Sequence, residues 1–458
     1  MSTSNRIILS AFTMAAVSHI NYGMWRHPDE QGWRYTDIEY WTALATLLEE
    51  NHFDCLFIAD ALGLLDTWNG SPTASLKNGI QSPLIDPLLL VSAMAGVTQR
   101  LGFGVTVSTT YEQPYLLARK FTTLDHLTDG RIAWNVVTSQ LDSAARNLGL
   151  DQQMEHDQRY ERADEFLAVC YQLWQHSWQR HALQRDKLRG IYTDPAQVKA
   201  IKHHGRFFTV PDAHLSEPSP QRTPVLFQAG GSPRGIHFAA QHAEVVFVAG
   251  LDAAGVKKQV QAIKQQAKRA GRAPDAIKFI SAVTVITGEN AAEAEAHYQQ
   301  LRELYDLQGA LVHYSASTGV DLAKHDIDSP LDWQHTNANQ SLLKMITGAP
   351  GEPRKTLREV FKPEIGFGRQ KTFVGSGEQV ADQIEAWLSA SETDGINLAQ
   401  WLSPRSLADF ARWVVPVLQQ RGRLTPQPQN STLRQRLFGT ASAEPAADHP
   451  AINPAFRR

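Results

Sequence analysis

Two cysteines, Cys55 and Cys170, are all that 458 residues contain. They build no disulfide framework and no cysteine-based metal site. They suit a reducing compartment, so the chain is expected to be cytoplasmic. Charge of one sign is also lacking. The 44 Lys and Arg against 47 Asp and Glu leave a formal net charge of −3. That gives neither the basic footprint of a nucleic-acid binder nor a polybasic membrane patch. No apolar run reaches the roughly 18–20 residues of a membrane helix. The segment Ile7–Val17, behind Arg6 and with Ala15, Ala16 and Ser18 nearby, has the outline of a short signal peptide. It is read as a buried strand instead, because cleavage there would delete the first strand of a series that counts to eight.

Several motifs are missing as well. No Gly-x-Gly-x-x-Gly follows the first strand, which disfavours a Rossmann dinucleotide domain, and no Lys follows the paired glycines Gly230-Gly231, which excludes a nucleotide P-loop. There is no Gly-x-Ser-x-Gly for a serine hydrolase. The 17 histidines are scattered; no His-x-His follows the first strand and no helix carries His-Glu-x-x-His. No metal site is therefore expected, and a metal-dependent barrel hydrolase is a weak competitor.

What is present is an alternation of apolar runs with amphipathic stretches. Hydrophobic residues make up 42% of the chain, enough at this length for a large core. Eight strand candidates stand out: Ile7–Met14, Cys55–Asp60, Leu101–Thr109, Ile132–Thr138, Pro224–Gly230, Glu244–Ala249, Ile277–Thr287 and Ile396–Trp401. Near-continuous apolar strands are what a sheet buried on both faces requires. Helical spacing follows them, as in Thr36–Asn51, where Ile38, Trp41, Leu44 and Leu48 share a face. The expectation is a TIM-type (β/α)₈ barrel over residues 1–425. Insertions of about 176–223 and about 288–375 sit where a lid would be. Residues 426–458, rich in Pro and Ala and ending in Arg457-Arg458, read as an extended arm or as disorder.

On such a barrel, function sits at the C-terminal ends of the strands. Strand two ends at Asp60, a helix cap or a ligand contact. Strand three ends in hydroxyls, Thr106 and Ser108 among them, which can meet a polar heterocycle edge or satisfy the turn. Strand four carries Asn135, a buried amide that costs about 1–3 kcal/mol without partners, and is followed by Ser139. Strand five runs into Gly230-Gly231-Ser232-Pro233. There a helix starts with Pro in its first turn, and backbone N–H groups can hold an anion such as a phosphate. His156 and Tyr160, four apart at a helix start, can face one site.

The chain resembles the bacterial luciferase-like superfamily, in the branch of the nitrilotriacetate, dimethyl-sulfide, dibenzothiophene-sulfone and long-chain alkane monooxygenases. The resemblance rests on Ser18-His19 through Trp25-Arg26-His27-Pro28, on Ala118-Arg119 through Leu124-Asp125-His126-Leu127-Thr128-Asp129-Gly130-Arg131, on Trp134-Asn135-Val136-Val137-Thr138-Ser139 and on the His156-to-Phe166 run. The Gly-Ser turn and Phe373-Val374-Gly375 add to it. It implies an FMN-dependent two-component monooxygenase. A separate NAD(P)H:FMN reductase supplies reduced FMN, O₂ reacts with it to give a peroxyflavin, and a small organic substrate is oxygenated. By position it assigns flavin contacts to Asp60, Thr106, His156, Tyr160 and Ser232, with Ser108, Asn135, Ser139 and Gly231 as their neighbours. It makes His19 the candidate proton-handling group, and Met14, Trp25 and Trp134 pocket candidates, the two tryptophans equally readable as packing. A homo-oligomer, dimer or tetramer, is expected. The phosphate would follow strands four and five, whereas the general barrel rule puts it after seven and eight. A deazaflavin-dependent oxidoreductase of the same superfamily and a non-catalytic flavin-binding relative are the alternatives.

Overall fold

The computed structural model describes residues 6–348, 354–362, 370–426, 428 and 430–452. Each of the eight apolar runs is a strand in it, and a ninth joins them. The parallel strands are β1 (Ile8–Met14), β2 (Cys55–Ala59), β3 (Gly102–Ser108), β4 (Ile132–Val137), β5 (Val225–Gln228), β6 (Val245–Val248), β7 (Lys278–Gly288), β8 (Lys371–Ser376) and β9 (Gly395–Ala399). β1 to β7 pair in sequence, and β9 closes the ring between β7 and β1. This is the expected eight-stranded barrel.

The extra strand uses the length of β7. Val283 and Thr284 pair Leu398 and Ala399 of β9 on one side and Lys371 and Thr372 of β8 on the other. β8 therefore occupies the flank that β6 holds further down, along Lys278–Ser281. Only Phe373 and Gly375 of its residues are fully buried, so the sequence shows little of the apolar run that marked the other eight.

Strand periodicity of two sorts the core into layers. Ile8, Cys55, Phe57, Ala133 and Phe227 fill the barrel interior. Leu9, Leu56, Phe103, Trp134 and Ile396, from alternate positions, pack under the helices. Side chains cap two of the helices used below: Asp37 accepts from the Glu39 N–H at the head of α1 (Ile38–Glu50). Next come α2 (Pro114–Leu127) and α3 (His156–Tyr171), then α4 (Pro233–His242), which Ser232 caps through the Gly235 N–H at 3.0 Å.

The first insertion forms two small antiparallel hairpins, Leu183–Asp186 with Ile191–Thr193 and His203–His204 with Thr209–Val210. The second carries α5 (Leu307–Thr318) and α6 (Gln340–Thr347). It builds its own apolar cluster with Tyr22, Leu65 and Ile80, from the loops above β1 and β2. It therefore lies over the C-terminal end of the barrel. Residues 349–353 and 363–369 of that insertion, and Arg457-Arg458, lie outside the described residues.

Neither an extended arm nor disorder describes residues 430–452. Helix α7 (Leu433–Phe438) sets Leu433 and Leu437 into the interior cluster. Leu433 sits against Gly102 at the start of β3, where a Cβ would fall 2.7 Å from it. Arg434 is 2% exposed and meets Glu244, just before β6, with Nε to Oε1 at 2.7 Å and Nη2 to Oε2 at 2.8 Å. The tail thus closes the N-terminal mouth of the barrel. Its composition misled because a few apolar side chains and one buried ion pair, rather than a periodic stripe, fix it in place.

Candidate functional site

The C-terminal mouth collects most of the singled-out residues. On β4, Ala133 and Asn135 face inward while Trp134 and Val136 face the helices. Asn135 donates from Nδ2 to Thr106 Oγ1 on β3 at 2.9 Å, the two residues being register partners. Its Oδ1 is buried with no hydrogen-bond partner among the described residues. One rung higher, Ser139 Oγ lies 2.8 Å from Ser108 Oγ, which also accepts the Thr110 N–H at 3.2 Å. Ser139 has φ of 55°, in the left-handed region that disfavours side chains. Such strain persists where the surroundings impose it, often at a site.

Asp60 stands just beyond β2. Burial pushes its carboxyl up to about 7, the neighbouring Asp86 adds to the rise, and the Ala61 N–H opposes it. Met14 and His19 line a cavity beside the end of β1. The His19 ring packs edge-on against Phe12, centroids 4.6 Å apart.

The second group surrounds the glycine turn between β5 and α4. The Tyr160 hydroxyl and Ser232 Oγ come together beside Gly235. Burial raises the phenol above its ordinary pKa, while Ser232 and the nearby Arg159 and Arg234 pull it down. Arg234 lies over the Tyr160 ring at 5.3 Å. Gly235 leaves these groups their room, because a Cβ would fall 2.8 Å from the Tyr160 hydroxyl and 3.0 Å from Ser232 Oγ. His156 packs on Tyr160 with centroids 5.3 Å apart and holds Asp157 through Nδ1 at 2.7 Å. Around Gly231, the nearest atom to a hypothetical Cβ is Ser341 Oγ of α6, 3.4 Å away. The second insertion is therefore brought to the edge of this turn, and Ser341 is a residue that sequence reasoning passed over. Arg159, 2% exposed, helps to fix it by donating to the Asn337 carbonyl at 2.8 Å.

Two pocket candidates are placed elsewhere. Trp134 is fully buried on the outer face of β4, with ring centroids 5.7 Å from Phe121 and 5.9 Å from Phe166, and its indole N–H donates to the Val107 carbonyl at 3.0 Å. It is a packing residue, as the alternation with Asn135 demands. Trp25 is 44% exposed beside Gly79, outside the cavity that holds Met14 and His19. A second residue missed from sequence is Gln400, beyond the end of β9, which lines that cavity.

The donor set suits a flat, polar heterocycle carrying a phosphate. The orphaned Asn135 Oδ1 needs a donor, and the uncrowded Gly231 backbone and the Tyr160–Ser232 pair at the head of α4 suit an anion. Fold and site together define a parallel α/β barrel whose polar groups converge at its C-terminal mouth.

The profile of the luciferase-like monooxygenase family matches residues 18–393, and the chain belongs to that family. Dimethyl-sulfide monooxygenase from Hyphomicrobium sulfonivorans is 45% identical over 446 residues, 97% of this chain and 93% of that protein. Long-chain alkane monooxygenase from Geobacillus thermodenitrificans is 44% identical over 446 residues, 97% of each. Among solved structures, a riboflavin lyase crystallised with modified FMN and riboflavin superimposes with a TM-score of 0.92 at 35% identity, covering 99% of both chains.

Proposed function

We propose that this chain is the oxygenase component of a two-component flavin monooxygenase. It binds reduced FMN delivered by a separate NAD(P)H:FMN reductase and uses O₂ to oxygenate a small organic molecule. The observation that carries the reading is the pairing of two features at one mouth: an anion-accommodating turn at Gly231-Ser232 and, on β4, the buried carbonyl oxygen of Asn135, unpartnered among the described residues. The relatives' names, and the FMN in the riboflavin lyase structure, support it.

In this reading Ser232, Tyr160, His156 and the Gly231 backbone hold the phosphate, and Arg234 is kept beside them by its ion pair with Asp164. Thr106, Ser108, Asn135 and Ser139 present hydroxyls and an amide to the ring edge, and Asp60 stands at its β2 side. The bound reduced flavin supplies the two electrons that let O₂ deliver one oxygen atom to the substrate. The chain's part is to orient the ring and exclude water, which the second insertion does by packing over the loops of β1 and β2. In the same reading His19, which lines the cavity with Met14, holds or passes a proton.

Anaerobic reduced FMN, bound by the protein and mixed with oxygenated buffer, tests this. A shielded site gives a long-lived phase in the flavin absorbance that free FMN lacks, and an active substrate shortens it. Reoxidation indistinguishable from free FMN overturns the reading, and titration with deazaflavin then tests the other cofactor class.

A further inference from the structure

The phosphate-accommodating turn lies at the junction of β4 and β5. In the ring β1–β2–β3–β4–β5–β6–β7–β9 the junction four strands away in either direction is that of β9 with β1. It is diametrically opposite. There the mouth keeps a cavity whose walls are the end of β1 and the loop after it, Phe12 to Asn21, and the end of β9 with Gln400 and Ser403.

This cavity is a built one. The Asn21 side chain ties its two walls together, accepting the His19 N–H at 2.9 Å and donating to the Trp401 carbonyl at 3.1 Å. Buried Glu30 holds the Ser403 N–H at 2.7 Å. Phe12, Met14, Ala16, Val17, Ile20 and Ala399 make much of the lining apolar. Thr13, His19 and Ser403 also line it, and of the polar side chains Ser18 is committed to the Gly79 carbonyl and Asn21 to the clamp just described. Gln400 differs. It is 7% exposed, yet both Nε2 and Oε1 are buried with no hydrogen-bond partner among the described residues. A folded chain that desolvates an amide donor and acceptor and pairs neither carries a cost that a ligand can relieve.

The geometry points to Gln400 as the residue that reads a polar group on the substrate. The molecule taken here is small and mainly apolar, and it carries one group that both donates and accepts a hydrogen bond, such as a hydroxyl or a primary amide. Gln400 meets that group with both atoms of its amide while the apolar wall takes the rest. This inference rests on the proposed function, because it assigns the flavin to the opposite half of the mouth. A site that hydrogen-bonds a substrate group discriminates strongly against an analogue lacking it, since its own buried atoms are then left unpaired.

The test uses the full chain loaded with oxidised FMN, and two probes of similar length, 1-hexanol and 1-chlorohexane, titrated by calorimetry. The cofactor is titrated first, in wild type and in Gln400→Leu, a substitution of similar volume. The expected result is an unchanged FMN affinity in both proteins, a wild-type preference for hexanol, and a loss of hexanol affinity of about tenfold or more in Gln400→Leu with chlorohexane unaffected. Weaker FMN binding by Gln400→Leu would overturn the inference by giving the amide to the flavin. Equal hexanol affinity in the two proteins, or wild-type protein that takes FMN but neither probe, would overturn it while leaving the cofactor reading intact. Wild-type protein that takes no FMN removes both.

Discussion

Asn135 and Thr106 face each other across the β3–β4 ladder, joined by a 2.9 Å hydrogen bond that uses the amide's donor and leaves its acceptor unpaired among the described residues. Asn135→Leu removes that acceptor and retains the volume. FMN affinity is expected to fall about tenfold or more, while the unliganded protein loses no more than the roughly 1 kcal/mol of one hydrogen bond. Fluorescence titration and thermal denaturation measure the two. A variant that binds FMN as wild type does takes Asn135 out of the cofactor site.

At the glycine turn, charge and capping can be separated. Asp caps a helix as well as Ser does, so Ser232→Asp keeps α4 capped while setting a negative charge beside the phosphate. FMN binding is expected to weaken by an order of magnitude or more, and Ser232→Asn, which caps without charge, should stay within a few-fold of wild type. Equal affinity in all three proteins would detach the turn from the phosphate.

Asp60 predicts a pH dependence. Its pKa in the folded chain, about 7, lies above the ordinary value of 3.8, chiefly through burial. The folded state therefore holds this proton more tightly than the unfolded state. The stabilisation is complete below pH 3.8, falls as pH rises and is gone above about 7. Asp60→Asn stays neutral throughout. Its melting temperature relative to wild type should climb between pH 4 and 7 and level off above, and a difference that is flat across that window contradicts the assignment.

The plug of the lower mouth is open to the same treatment. Arg434→Met leaves the Glu244 carboxylate buried without its counter-charge, which costs about 3–5 kcal/mol. Denaturant unfolding should show that loss. Pairing the change with Glu244→Leu should recover much of it, since an apolar pair replaces a buried ionic one. A double variant as unstable as the single one would mean that Arg434 acts through its bonds to the Thr223 and Ala443 carbonyls instead.

The barrel was legible because a parallel sheet covered on both faces writes itself as apolar runs, and all eight runs became barrel strands. β8 was not, because Lys371–Ser376 offers Phe373 and Val374 and little else to bury. Trp134 is left open in the sequence between pocket and packing, although Asn135 beside it decides between them. If the amide faces the interior, strand alternation turns the indole to the helices. Gln400 fell inside the predicted strand Ile396–Trp401, where an amide among apolar residues looks like an edge effect. Only the closed ring shows that it overlooks a cavity. Ser341 carried no signal, since its approach to Gly231 depends on how an insertion of some eighty residues folds back.

That return path matters for how such a chain can change. The second insertion leaves the barrel at Gly288, the last residue of β7, and comes back as β8 hydrogen-bonded to the upper half of the same strand, Lys371 against Val283 and Ser376 against Gly288. Its two ends are thus welded to one strand, and the loop they close grows costlier only slowly with length. Residues can be gained, lost or exchanged in the cover of the mouth without moving a barrel strand. Drift in what the mouth admits is thereby separated from the scaffold that holds the chemistry.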